Sequence, residues 1–320
     1  MVSAGKTWAV ILLALAPSLA ADATPPAELL AQGRVDDAIA SLESRIRSAP
    51  SDAESYHLLC RAYFSLEDWN RGIAACEKAV SLDPSSSRYH LWLGRGYGEK
   101  ADQSNFLSAA GLAGKLRKEF ETAVQLSPND AEARTDLAEF YLEAPGIVGG
   151  GRERAEAQAE RLLTLDQPKA HWVRGRIAEK KSDLLTAEKE YRAAIEASHG
   201  SGLTWFNLAL FYRHRQRWDE MEDALNRAVA APPDRPEVLM EAAEVLLRAG
   251  RNLTGAIQLL HRYLSNSTVE LAPAFKAHYL LGTGLEKQGD KHAAVEEYRA
   301  SLALAKSFSR AQEALHRLNR

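Results

Sequence analysis

The chain has 320 residues, of which 46% are hydrophobic and 26% are charged, and its formal net charge is −3. A near-neutral balance argues against nucleic acid as the main partner, because phosphate binding needs a basic face. Glycine and proline are neither abundant nor periodic, which excludes a collagen-like or largely disordered chain. The length allows either two or three globular domains or one elongated array.

The first predicted element is a secretory signal peptide over residues 1–20. One lysine precedes a nine-residue apolar run, 8–16, and Ser18 and Ala20 stand where small residues precede a cleavage site. The run is too short to span a membrane, so we expect no stable membrane span. The alternatives are an uncleaved anchor and a buried first helix. Cleavage after Ala20 would place the mature protein in a periplasm or outside the cell.

A repeated pattern occupies the rest of the chain. Three similar runs, IRSAP, VSLDP and VQLSP, end at Pro50, Pro84 and Pro128, with gaps of 34 and then 44 residues. Aromatic, leucine and small residues recur at constant offsets from these prolines. Examples in three segments are Tyr56, Leu59 and Tyr63; Trp205, Leu208, Ala209 and Tyr212; and His278, Leu281, Gly282 and Leu285.

These residues resemble the tetratricopeptide repeat, whose pattern is W-x2-L-G-x2-Y, then A-x3-F, then P. The resemblance covers nearly all of the chain after residue 20. It implies an all-α fold, a right-handed superhelical solenoid of about seven to eight helix–turn–helix repeats over 24–306, with a capping helix over 307–320. The expected repeats lie near 24–50, 51–84, 85–128, 129–167, 168–200, 201–233, 234–270 and 271–306.

Two neighbouring repeats carry insertions between their helices, at 101–114 and 144–151. The second, APGIVGGG, lacks the Gly-Lys-Ser/Thr ending of a phosphate-binding loop, so it is predicted to be a turn. Turns inside successive repeats lie along one edge of such an array, and the two insertions are therefore expected to form a lip. The alternative is that both are tolerated surface loops. The lip residues would be Phe106, Leu107, Pro145, Gly146, Ile147 and Val148. The sequence around the insertions is similar to a recurrent subtype of exported bacterial tetratricopeptide proteins.

The leading helices of the repeats are expected to line a concave groove. The inward positions hold arginine and aromatic residues, which suit carboxylates and large apolar contacts respectively. The predicted ligand is therefore an extended peptide or partner helix with acidic and apolar features. The alternatives are solvated positions with no ligand, and a groove for an anionic envelope polymer or glycan. The groove residues are His57, Arg61, Arg95, Trp172, Arg176, Phe206, Arg213 and Tyr279.

The two cysteines, Cys60 and Cys76, lie on the two helices of the second repeat. Antiparallel helices would bring them to about the same level, where an oxidising compartment allows a disulfide. The alternative is two small buried thiols, because the separation between helices often exceeds what a disulfide tolerates.

No catalytic or metal-binding constellation is predicted. The nine histidines form no H-E-x-x-H motif, and no G-x-S-x-G motif occurs. His90, His171 and His278 occupy the position that Trp205 fills in another repeat, so they are expected to be packed substitutes. The sequence favours a non-catalytic scaffold without a cofactor.

Overall fold

The computed structural model describes residues 24–232, 235–266 and 268–318, and nearly all of these residues are helical. In these parts of the chain the β-structure consists of one bridge, between Val269 and Ala272. The predicted signal peptide lies outside the described residues. The helices are α1 (Pro26–Ala31), α2 (Val35–Ser48), α3 (Ala53–Ser65), α4 (Trp69–Leu82), α5 (Ser87–Asp102), α6 (Phe106–Leu126), α7 (Ala131–Glu143), α8 (Arg152–Leu162), α9 (Gln167–Lys180), α10 (Leu184–Ala197), α11 (Gly202–His214), α12 (Trp218–Ala230), α13 (Glu237–Ala249), α14 (Leu253–Leu264), α15 (Ala274–Gln288), α16 (Lys291–Leu304) and α17 (Ser309–Leu318).

Aspartate side chains begin many of these helices. In each case the carboxylate accepts a hydrogen bond from a backbone N–H in the first turn, which satisfies a donor that the helix itself leaves unpaired. An aspartate at this position contributes about 1 kcal/mol to helix stability. The capping aspartates are Asp52, Asp68, Asp130, Asp166, Asp183 and Asp290.

Short turns with one left-handed residue join the two helices of most repeats. These residues reverse the chain within a few positions, which brings the second helix back along the first. They are Glu67, Ser182, Gln216, Gly250 and Gly289, with φ between 55° and 93°.

Small residues let the paired helices approach one another. A β-carbon on Gly94 would come within 2.4 Å of the Phe120 ring, and one on Gly282 within 2.7 Å of the Tyr298 ring. Neither position can hold a larger residue without moving an aromatic ring that fills the core. The repeated glycine of the sequence pattern is therefore a packing requirement.

The two insertions take different forms. Residues 101–114 are mostly helical, because α5 continues to Asp102 and α6 begins at Phe106. Residues 144–151 form a turn that contains one 3-10 turn, Gly146–Val148. In that turn Gly149 has φ 95°, and a β-carbon on Gly150 would lie 1.8 Å from the carbonyl oxygen of Ala144. The glycines therefore permit a tight chain reversal, as predicted.

The two ends of the array contact each other, which the repeat pattern did not indicate. Leu29 and Leu30 near the amino terminus belong to the same buried cluster as Phe275 and Phe308 near the carboxyl terminus. The side chain of Thr268 donates a hydrogen bond to the carbonyl of Ala31, at 2.9 Å. We call this contact between the first two and the last two repeats the seam. The array is thus an all-helical solenoid whose ends meet.

Candidate functional site

Ion pairs cross the seam. Arg61 on α3 donates two hydrogen bonds, each 2.6 Å, to the two carboxylate oxygens of Glu270, in the loop before α15. Both side chains are largely buried, with 22% and 15% of their surfaces exposed. Glu67 also crosses the seam, because it lies 2.8 Å from Arg310 and 3.5 Å from Lys276. Polar and apolar contacts together hold the ends of the array.

Two other arginines predicted for the groove, Arg95 and Arg176, also bind the chain's own carboxylates. Arg95 donates to Asp136 at 2.7 Å and pairs with Glu132 as well. Burial raises the pKa of Asp136, although Arg95 opposes that shift. The expectation that Arg95 is free to grip a partner's carboxylate is wrong, because α7 supplies acidic side chains at the matching height.

Arg176 repeats this arrangement from the other side of α7. Its guanidinium donates to Glu139 at 3.0 Å and to Glu143 at 2.8 Å. It also lies over the ring of Trp172, with its carbon 5.5 Å from the ring centre. Arg61 and Arg176, like Arg95, are therefore occupied by carboxylates of the chain itself. Counting positions along one helix shows where a side chain points, but it does not show which acids face it from the next repeat.

His57 is the groove residue that the structure contradicts most directly. It is 0% exposed, so it cannot touch a ligand in this conformation. Its ring lies 4.8 Å from that of Tyr89, and neither of its nitrogens has a hydrogen-bond partner. Burial, together with the nearby charges of Arg61 and Arg88, lowers the pKa of His57 to about 3. His57 is therefore a neutral core residue.

The remaining groove residues, Trp172, Phe206, Arg213 and Tyr279, are half-buried. The three aromatic rings pack against the hydrophobic cores of the repeats. Core packing therefore accounts for most of the surface of these three aromatic side chains.

The lip, by contrast, is strongly exposed. Phe106 and Leu107 are 79% and 82% exposed at the start of α6, and Ile147 is 92% exposed in the next repeat. Pro145 and Gly146 are also exposed, whereas Val148 is half-buried.

The second insertion contacts α6. The 3-10 turn touches α6, and the Arg117 side chain of α6 lies against Gly149. The Tyr141 carbonyl accepts a 2.7 Å hydrogen bond from the Gly151 N–H, which ties the end of the turn to α7. The turn is therefore held in place while Ile147 projects from it.

One exposed residue beside the lip was missed in the sequence. Leu185, in the first turn of α10, is 87% exposed, and it follows the turn of the fifth repeat as Leu107 follows that of the third. The sequence could have indicated this residue, because the third and fifth repeats both have an apolar residue directly after the turn between their helices. Three successive repeats therefore carry exposed apolar side chains at their turns.

Cys60 on α3 and Cys76 on α4 form a disulfide. Their α-carbons are 5.2 Å apart, and both residues are 1% exposed. Because 16 positions separate them, the bond links the two helices of one repeat rather than two repeats. Arg61, which crosses the seam, follows Cys60 directly in the chain.

Each of the three histidines that were expected to be packed substitutes contacts a glutamate. His171 lies 2.7 Å from Glu190, and His278 lies 2.7 Å from Glu297, each on the second helix of its own repeat. His90 pairs with Glu119 in the same way, and this contact raises the pKa of His90. These histidines join the paired helices and are not arranged around a common point.

The described residues contain no cluster of three or more potential metal-ligating side chains. Within the same parts of the chain, no helix combines the length and the apolar character needed to cross a membrane.

Models of one family match four segments of the chain. Each is described as a tetratricopeptide repeat, and the matches cover residues 29–95, 149–202, 203–245 and 275–308. The two neighbouring matches, 149–202 and 203–245, follow one another without a gap. Repeats are thus found near both ends and in the middle.

A curated relative, superkiller complex protein 3 from Mus musculus, is 24% identical over 290 residues. The match covers 78% of this chain but only 18% of the relative's length.

Among solved structures, a thermophilic TPR protein from Thermus thermophilus is 20% identical, with a TM-score of 0.48. That match covers 58% of this chain and 96% of the other. A second, the Cut9–Hcn1 hetero-tetramer of APC/C, is 14% identical with a TM-score of 0.42, and the match covers 91% of this chain and 54% of that one.

The helix pairs, the small residues between them and the four matched segments agree. The chain is a tetratricopeptide repeat protein.

Proposed function

We propose that this chain is a non-catalytic scaffold that binds a protein partner along the lip and the adjoining turn of the fifth repeat. The observation that carries the proposal is the exposure of Phe106, Leu107, Ile147 and Leu185, which lies between 79% and 92%. Burying a side chain of this size contributes about 1.5–3 kcal/mol. Four such side chains could therefore supply much of the energy of a specific interface.

The position of these residues also favours a partner. Single exposed apolar residues are normal on a protein surface, but a group of them commonly marks an interaction site. Here they recur at the turns of three neighbouring repeats, and the Gly149–Arg117 contact ties the turn of the fourth repeat to α6 of the third. The partner would therefore need a complementary apolar surface that extends across three repeats.

Site-specific photo-crosslinking tests the proposal. A photoreactive phenylalanine analogue at position 107 or 147 should crosslink to a protein in an extract of the source cells. Matched controls at Leu126 and Leu165 use apolar residues that are 41% and 38% exposed and lie near turns between repeats. Equal yields at all four positions would contradict binding at the lip.

A triple variant, Phe106→Ser, Leu107→Ser and Ile147→Ser, provides the second test. These side chains contact little of the core, so helical content should be unchanged. The crosslinked partner, once identified and purified, should bind the variant at least about tenfold more weakly, since about 1.4 kcal/mol corresponds to tenfold. Unchanged affinity would overturn the proposal.

Binding of an extended peptide on the inner face remains a second proposal, in a restricted form. Trp172, Phe206 and Tyr279 are half-buried, so part of each side chain remains exposed. Arg61, Arg95 and Arg176 are already paired within the chain, so a peptide that uses them must first displace those ion pairs. We therefore expect the triple arginine-to-alanine variant to bind the lip partner as the wild type does.

An envelope polymer or glycan has less support. Such a ligand would need free cationic groups, whereas Arg61, Arg95 and Arg176 already pair with carboxylates at distances of 3.0 Å or less. Binding of the partner that fell steeply with salt and was insensitive to the lip substitutions would favour the polymer instead.

We also propose that the protein is exported and cleaved after Ala20. The support is the pattern of residues 1–20 and the disulfide, which is typical of oxidising compartments. Intact-mass measurement of the protein from its native cells tests this: the expected amino terminus is Ala21. A mass that includes residues 1–20 would contradict it.

A further inference from the structure

A cleft of about 290 Å³ lies across the seam. One wall carries the rings of Phe64 and Trp69, and the other carries those of Tyr279 and Phe308. The first two rings meet edge to face at 5.1 Å, and the second two at 5.5 Å. Because the two walls come from opposite ends of the chain, this cleft exists only while the ends of the array are in contact.

Two ion pairs in the cleft are complete. Glu67 holds Arg310 at 2.8 Å, and Glu244 binds Arg248 one helical turn away. These four side chains line the cleft and neutralise one another. They form the polar side of the cleft, and because they are paired with one another they do not need a charged group from a ligand.

Two further charged groups are less fully matched. Glu99 lies at the exposed rim and has no salt-bridge partner within 4.0 Å in the described parts of the chain, and Lys276 shares Glu67, at 3.5 Å, with Arg310, which lies closer at 2.8 Å. Burial lowers the pKa of Lys276, so one shared carboxylate compensates its charged form only in part.

We infer that this cleft binds a zwitterionic ligand the size of one amino acid, with an apolar or aromatic side chain. The ligand's ammonium group would pair with Glu99, and its carboxylate with Lys276. Its side chain would pack on the four rings. The volume, near the lower limit of about 300 Å³ for ligand pockets, suits a molecule of this size.

This inference is independent of the lip. The cleft is lined by the second, third, seventh and eighth repeats and α17, whereas the lip belongs to the third and fourth repeats. Of the cleft residues, Glu99 lies just before the first insertion and Gln103 lies within it, but none of the exposed lip side chains lines the cleft.

Calorimetric titration of the full chain with L-phenylalanine and L-leucine tests the inference. Both should bind, and the N-acetyl and carboxamide derivatives, which lack the positive and the negative charge respectively, should each bind at least about tenfold more weakly. No binding of either amino acid up to about 10 mM would overturn the inference. Equal binding of the derivatives would overturn it too, because the charges of Glu99 and Lys276 would then play no part.

Single variants locate the site. Glu99→Gln and Lys276→Met should each weaken L-phenylalanine binding by at least about tenfold. Glu196→Gln, at an exposed acid on α10 outside the cleft, is the matched control and should bind as the wild type does. Glu99 lies at the exposed rim, so its variant is expected to keep the wild-type fold even if Lys276→Met disturbs the seam. Wild-type affinity in a folded Glu99→Gln protein would overturn the assignment.

Discussion

Arg61 and Glu270 are 209 positions apart in the chain, yet the guanidinium of one donates two 2.6 Å hydrogen bonds to the carboxylate of the other. The pair joins the second repeat to the loop that precedes α15, the first helix of the last repeat. A planar guanidinium and a carboxylate match in this two-bond geometry, so the contact fixes orientation as well as distance. It also withdraws Arg61 from any partner on the inner face.

Replacing Glu270 with alanine should destabilise the protein by about 1–3 kcal/mol. The substitution leaves the Arg61 charge partly buried without a partner, and the cost is reduced from that of a fully buried pair by the remaining solvent exposure. Urea unfolding followed by circular dichroism measures the change. Asp223→Ala removes an exposed pair with Arg227, side chains 64% and 56% exposed, and should change stability by less than about 0.5 kcal/mol. Equal effects of the two substitutions would contradict the role of the seam pair.

The stability of the protein should fall in acid partly because of His57. Its pKa is about 3 in the folded protein against 6.5 for the ordinary side chain. The unfolded state therefore takes up a proton first, and stability is full above about pH 6.5 and is lost as the pH falls towards 3. Between pH 7.5 and pH 5.0 the loss due to this residue should be about 2 kcal/mol.

The variant His57→Leu isolates that contribution. All other titrating groups remain in both proteins, so their effects cancel when the two pH dependences are subtracted. Urea midpoints at pH 7.5 and pH 5.0 should show the smaller loss in the variant. An identical loss in both proteins would mean that His57 is hydrated or paired in the folded state.

Removing the disulfide should destabilise the protein by about 3 kcal/mol if the loop-closure account holds, because the bond closes a loop of 16 positions. The double variant Cys60→Ala, Cys76→Ala keeps small side chains at both buried positions, so packing changes little. Chemical unfolding under non-reducing conditions compares the two proteins, and a thiol assay of the unfolded wild type should find no free thiol. Two free thiols in the denatured wild type would contradict the bond.

Two glycine substitutions should have opposite effects. Gly94→Ala places a methyl group 2.4 Å from the Phe120 ring and should destabilise the protein by about 1–3 kcal/mol. Gly111→Ala, in the exposed part of α6, meets nothing within 4 Å and should stabilise it by about 0.5–1 kcal/mol. Thermal melting of both variants checks the difference. Destabilisation by Gly111→Ala would indicate that this part of α6 packs against something.

The fold was largely predictable from the sequence because the repeat carries its own packing rules. The spacing of Gly94 and Phe120 reflects one close contact between two helices, and the same contact recurs at Gly282 and Tyr298. Such contacts are local in the chain, so a single repeat contains the information needed to predict them.

The seam was not predictable in this way. Whether the ends of an array meet depends on small rotations summed over every repeat, and no short pattern encodes that sum. The pairing of Arg61 with Glu270 was therefore not predicted from the sequence. The exposed lip was easier to predict, because an insertion at a turn projects from the edge whatever the curvature of the array.

Zero-length crosslinking tests the meeting of the two ends most directly. A carbodiimide joins an amine to a carboxylate that already touches it, and Lys276 lies 3.5 Å from Glu67 across the seam. The local pair Lys181–Glu156, at 3.0 Å, serves as the internal control. Mass spectrometry of the digested monomer should find both linked peptides, in a ratio that does not change on dilution. Recovery of the local link without the Glu67–Lys276 link would contradict the account, since an open array would have no seam and no cleft between its ends.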